Sequence, residues 1–250
     1  MHKILNILQI KKNELKPSAI LFFHSFFLVS VIITSKTVRD SFFLSRFDKT
    51  SLPFMYILTA LIMWKGVGYI QKILKGKSLL RQNIILHISF MIGTILFIFF
   101  NEGFFVPILY LWVEVITALM GMKFWELATN TFNSRQGKRL FGLITAGGSL
   151  SGVITGMSIP TLISYGTDSL IIFSSVGILV CMILIIYLKD YLKPSSKGFK
   201  PEVEIPRFKF SKMEPFIAHI FFIVIILASL STFVDYQFKI EIGNQFSTEL

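Results

Sequence analysis

Seven apolar runs, each near the length of a membrane-spanning helix, constrain this chain more than any other feature. They are Pro17–Ser35, Leu52–Ile70, Asn83–Asn101, Gly103–Leu127, Leu140–Tyr165, Ser169–Leu188 and Pro215–Val234. Five carry no Lys, Arg, Asp or Glu. Leu52–Ile70 holds Lys65, and Gly103–Leu127 holds Glu114, Lys123 and Glu126. A hydrocarbon layer about 30 Å thick takes about 20 helical residues to cross. Membrane strands are excluded, because the runs are too long and do not alternate polar with apolar. Composition agrees: 16% of residues are charged, against about 25% in a typical soluble domain, and mean hydropathy is +0.68. The expectation is an all-α, polytopic membrane protein with seven transmembrane helices. The first run does not read as a cleaved signal peptide, since a polar stretch precedes it and no small-residue cleavage site follows.

Orientation follows from the basic residues. Eighteen Lys and Arg residues fall in the N-terminal segment and in the second, fourth and sixth loops. The third and fifth loops, around Glu102 and Gly166–Asp168, carry none. This places the N-terminus in the cytoplasm. It argues against a seven-helix receptor, whose N-terminus lies outside. The net charge of +11 is accounted for by these loops. No nucleic-acid surface is implied, because the basic residues are dispersed and lack interleaved aromatics.

One loop departs from the pattern. The outward end of the first helix reads Lys36-Thr37-Val38-Arg39-Asp40, followed by Arg46, Asp48 and Lys49. Two readings stand. In one, Asp40 pairs with Arg39 and Asp48 with Lys49 at the interface. In the other, Lys36 and Arg39 face a water-filled cavity and meet an anion. Glu114, near the middle of the fourth helix, is the clearest intramembrane charge. Its structural alternative is a buried pair with Lys65. Lys65 itself can snorkel to the interface. Lys123 and Glu126 read as an interfacial pair.

The first and seventh runs match at one offset. Moving 195 residues along places His219 on His24, Thr232 on Thr37, Asp235 on Asp40 and Phe238 on Phe43. Six helices followed by a copy of the first is the plan of major-facilitator carriers, whose halves repeat in parallel. The expected organisation is a cytoplasmic segment 1–16, a six-helix bundle 17–188, a basic cytoplasmic linker 189–213, and segment 214–250 as the first helix of a second bundle. On this plan the chain is incomplete, and a longer or separate chain supplies the missing half.

Gly148, Gly152 and Gly156 lie four residues apart in the fifth run and predict close helix packing. Gly137-Lys138-Arg139 lacks the upstream glycine and following Ser or Thr of a phosphate loop. No HExxH and no hydrolase triad is present, so no enzyme activity is expected. The four histidines are scattered, and Cys181 is the single cysteine. No metal site and no cofactor are expected on spacing.

Two stretches carry a family resemblance. The first is Lys36-Thr37-Val38-Arg39-Asp40-Ser41-Phe42-Phe43-Leu44-Ser45-Arg46-Phe47. The second is Trp125-Glu126-Leu127-Ala128-Thr129-Asn130, continuing through Gly137-Lys138-Arg139-Leu140-Phe141-Gly142-Leu143. Val234-Asp235-Tyr236-Gln237-Phe238-Lys239 adds a third. Together they resemble the nucleotide-transporter family of ATP/ADP translocases and its shorter bacterial relatives. The resemblance implies a major-facilitator-like fold and exchange of ATP for ADP, or carriage of another organic anion. It implies that Arg39, standing where the family has lysine before Asp, and Glu114 act in transport. Lys36, Arg39, Asp40, Glu114, Lys65 and Asp235 are the candidate substrate-binding residues. The expected partners are a nucleotide or other anionic small molecule and the lipid bilayer. A truncated, non-transporting membrane protein is the remaining alternative.

Overall fold

The computed structural model describes residues 11–100, 103–166, 168–192 and 215–246, the side chains of Phe97 and of residues 242–246 aside. The N-terminal segment and the linker predicted at 189–213 therefore fall largely outside the described residues. Within them every regular element is helical. The helices are α1 (Lys12–Leu44), α2 (Leu52–Leu74), α3 (Leu79–Phe99), α4 (Phe105–Thr131), α5 (Ser134–Ile163), α6 (Asp168–Leu188) and α7 (Pro215–Phe246), with short 3-10 turns at Lys49–Ser51 and Lys189–Tyr191. All seven α-helices are long and apolar enough to cross a membrane. They correspond one to one with the seven runs.

Most of the helices outrun their apolar stretches. α1 has 33 residues, about 50 Å at 1.5 Å per residue. Its extension is stabilised locally. Glu14, at the third helical position, accepts the backbone N–H of Lys11 at 3.1 Å. The Glu14 carboxylate is also held by Gln136 and Arg139 of α5, both at 3.0 Å. α5 begins at a reciprocal cap between Asn133 and Gln136, at 3.0 and 2.9 Å, which satisfies two otherwise orphaned donors. Gly76 and Gly166 turn the chain between helices with φ of 86° and 99°, a conformation other residues rarely adopt.

The chain divides into two units. One holds α1, most of α2, and α3 to α6; the other holds residues 47–54 and α7. In the first, α1 is central and packs along α5, α6 and α4, while α3 lies against α4 and α6. The core gathers Leu21, Leu28 and Val31 of α1 with Ile116 and Leu119 of α4, Leu140 and Ile144 of α5, and Ile178 and Ile185 of α6. In the second unit α7 lies against the Lys49–Ser51 turn. The surface carries many large apolar side chains, among them Phe54, Leu61, Tyr69, Phe222 and Leu227. Water does not tolerate an apolar surface this extensive on a monomer, and lipid does.

The glycine stripe needs correction. A Cβ at Gly147 would lie 2.4 Å from the Phe22 carbonyl oxygen, and one at Gly148 would lie 3.1 Å from Ser25 and Val29. Cβ atoms at Gly152 and Gly156 would meet nothing within 4 Å. The seam against α1 runs instead through Ile144, Gly147, Ser151 and Thr155, all buried. The reason is angular. A helix turns about 100° per residue, so steps of four drift about 40° each. From Gly148, at the edge of the contact, residues 152 and 156 rotate out of it, whereas 144, 147, 151 and 155 mix steps of three and four and stay in it. Hydroxyls line this seam: Ser30 bonds Ser151 at 2.7 Å and Thr155 at 2.8 Å. Thr34 meets Ser174 of α6 at 3.1 Å.

Candidate functional site

The C-terminal portion of α1 brings Lys36 and Arg39 to one face, three residues apart. α4 brings Tyr110 and Glu114 to one face, four residues apart. The two faces meet. The Arg39 guanidinium is 2% exposed and donates to Glu114 through Nη1. Its Nε and Nη2 reach Asp40 Oδ1 at 2.8 and 2.7 Å. Its Cζ sits 4.1 Å from the centroid of the Tyr110 ring, within cation–π range. Lys36 Nζ donates to Glu114 at 3.1 Å. Lys36 and Glu114 are 39% and 22% exposed, so the cluster has an exposed side and a buried side.

Two cations and two carboxylates make the cluster neutral as a set. That neutrality is what permits Arg39 to be buried, because an unpaired charge removed from water is strongly destabilising. The guanidinium sets two nitrogens on Asp40 and the third on Glu114 while it stacks on a ring, a combination a lysine ammonium lacks. Of the first reading of the 36–40 segment the Arg39–Asp40 pair is present, and the acidic partner shared by Lys36 and Arg39 is a carboxylate of the chain itself.

The other predicted residues lie elsewhere. Lys65 is exposed on α2, its ammonium 5.9 Å from the centroid of the adjacent Trp64 ring. The expected Lys65–Glu114 pair does not form, because α4 packs against α1 and α1 supplies both cations. Asp235 belongs to α7 in the second unit and binds Lys239 one turn on, at 2.7 Å. Asp48 caps the 3-10 turn by accepting the Thr50 N–H at 3.0 Å. Lys123 reaches both Glu126 and Gln82 at 2.6 Å, forming the expected pair and tying α4 to α3.

Comparison with known proteins yields no matching family model, no matching curated protein and no matching solved structure.

A gap of about 10 Å³ lies between α1, α3, α4 and α6, lined by Ser35, Val38, Thr94, Val113, Ile171 and Ser174. That is room for one water. A larger open cleft of about 470 Å³ sits at the α4–α5 turn, among Thr129, Phe132, Asn133, Gly137, Lys138 and Phe141. Tyr110 is the member of the cluster that the sequence reading missed. Its signal was present, since an aromatic four residues before an intramembrane Glu shares its face.

Proposed function

We propose that the chain is a membrane carrier for an anionic solute, exchanging ATP for ADP by alternating access, with its six-helix bundle contributing one half of the path. One observation carries the reading: two cations of α1, Lys36 and Arg39, converge on a single α4 carboxylate, Glu114. In the empty state Glu114 serves as their internal counter-anion. An incoming phosphate group offers more oxygens in the same place and takes over the two donors as charge-assisted bonds. Glu114 is then released, and α1 is no longer tied to α4 through it. Coupling of binding to helix movement follows from that exchange of partners. The family resemblance at 36–47 and 125–143 supports nucleotides as the anion class. Asp40 stays with Arg39 and orients it. Lys65 has no role here, and Asp235 is assigned none.

The test is uptake of labelled ATP into proteoliposomes preloaded with ADP. Removing one member of a buried charge pair costs about 2–5 kcal/mol. Arg39→Ala is therefore expected to slow uptake at least about 30-fold, and Arg39→Lys to fall between it and the parent. Uptake by Arg39→Ala at the parent rate removes this residue from the mechanism. Competition separates the anion classes: inhibition by simple organic acids equal to that by ADP would favour the other reading, a carrier of another organic anion.

A further inference from the structure

His24 of α1, His87 of α3 and Cys181 of α6 are far apart in the sequence and meet inside the bundle. Their candidate ligand atoms all lie within 4.8 Å of one another. The three residues are 2%, 1% and 0% exposed. Both ring nitrogens of His24 lack a hydrogen-bond partner, and so does Nε2 of His87. Buried polar atoms are seldom left this way, because each forfeits its bonds to water without replacement. The chain has the means to avoid it: His219, the matching residue of α7, bonds the Pro215 carbonyl through Nδ1 at 2.6 Å. His24 makes no such bond.

His87 Nδ1 lies 2.8 Å from the Asn83 carbonyl oxygen. A carbonyl only accepts, so Nδ1 carries the proton and Nε2 is left with its lone pair inward. Metal-binding histidines are commonly fixed by such a backbone bond on the opposite nitrogen. The His24 ring is held flat against Phe124, at 5.4 Å and 8°, and sits 5.8 Å from the His87 ring. The Cys181 thiol has one weak contact, to the His24 carbonyl oxygen at 4.0 Å.

We infer that His24, His87 and Cys181 form a binding site for one soft monovalent transition-metal ion, with copper(I) the chemical fit. With bonds of about 2.0–2.3 Å, three ligands around one ion stand about 3.5–4 Å apart. Side-chain rotations of about an ångström bring this cluster to that spacing. Two imidazoles and a thiolate suit copper. Charge selects the oxidation state. The site is enclosed by apolar core, with Phe90, Phe124 and Ile178 among the buried residues. Copper(I) with one thiolate and two neutral imidazoles is neutral, whereas zinc(II) would leave one positive charge in dry surroundings. Binding exchanges the thiol proton for the metal: Cys181–SH and Cu(I) give Cys181–S–Cu(I) and a proton that leaves to buffer. No electron moves. The site joins α1, α3 and α6, so occupancy clamps three helices of the bundle, independently of the anion reading.

The experiment uses the full chain in detergent, with copper(I) kept reduced by ascorbate and titrated against a chromophoric chelator. The expected result is about one copper(I) per chain, about one proton released per copper, and an X-ray absorption spectrum with two nitrogens and one sulfur. Cys181→Ser and His87→Leu are expected to weaken binding at least about tenfold, their folding checked by circular dichroism. Should those variants misfold, the spectrum of the parent protein still decides. Binding below about one tenth of an equivalent, a shell without sulfur, or undiminished binding by folded Cys181→Ser overturns the site. Tighter binding of zinc(II) than copper(I) overturns the charge assignment.

Discussion

At an offset of 195 residues α1 and α7 carry the same side chains at several positions, and the two helices use them differently. Thr37 and Thr232 behave alike: each hydroxyl bonds the carbonyl four residues earlier, Ile33 or Ala228, at 2.9 Å. That bond is local, so identity of sequence gives identity of structure. The other matched positions diverge. Phe43 is 1% exposed and packs on Tyr110, whereas Phe238 is 62% exposed. Asp40 pairs with Arg39, whereas Asp235 pairs with Lys239. His24 is buried without a hydrogen-bond partner, whereas His219 bonds its own backbone. Half of the most apolar window of α1 is buried, and none of that of α7. Lys36 and Arg39 have no charged counterparts, since Ser231 and Val234 stand at those places. A repeat of residues is therefore not a repeat of the site.

The largest expected contrast is at the paired phenylalanines. Phe43→Ala should destabilise the detergent-solubilised protein by about 3–5 kcal/mol, the range for a buried aromatic. Phe238→Ala should change it by less than about 0.5 kcal/mol. Thermal unfolding midpoints compare the two, and equal losses would mean that α7 is packed as α1 is. Smaller effects are expected where α1 meets α5. Gly147→Ala pushes a methyl group onto the Phe22 carbonyl and should cost about 1–3 kcal/mol. Gly156→Ala enters open space and should be neutral or stabilising by up to about 1 kcal/mol. A loss at residue 156 as large as that at 147 would show that the outer stripe is a packed seam after all. The smallest contrast is at the threonines. Thr37→Val and Thr232→Val each remove one local bond and should differ by less than about 0.5 kcal/mol. A larger gap would mean that the Thr37 hydroxyl does more than bond its own helix.

How far the sequence was legible depends on the range of each interaction. The seven helices followed from hydropathy, because burying an unpaired backbone in lipid is so unfavourable that any long apolar run must close its own hydrogen bonds. Their true ends did not, because caps such as Asn133–Gln136 and the Glu14–Arg139 clamp extend helices into polar sequence. Lys36, Arg39 and Glu114 were identifiable as charges where charge is unfavourable, but their pairing was not. Lys65 was an equally reasonable partner for Glu114 until the neighbour of α4 was known. Of the three spaced glycines of α5 read as a close-packing stripe, Gly148 meets α1 and Gly152 and Gly156 do not, because spacing alone does not give the azimuth of contact.

The sequence by itself determined the helical class, the seven long apolar helices of the described residues and the few charges that needed partners. Each of those rests on local hydrogen bonding and on the transfer of single residues out of water. Only the tertiary structure decided that α1 is the central helix, that Arg39 and Lys36 share Glu114, and that His24, His87 and Cys181 meet. Those facts depend on which face each helix turns to its neighbours. That choice is made by the packing of the whole bundle, through contacts between residues that no sequence interval connects.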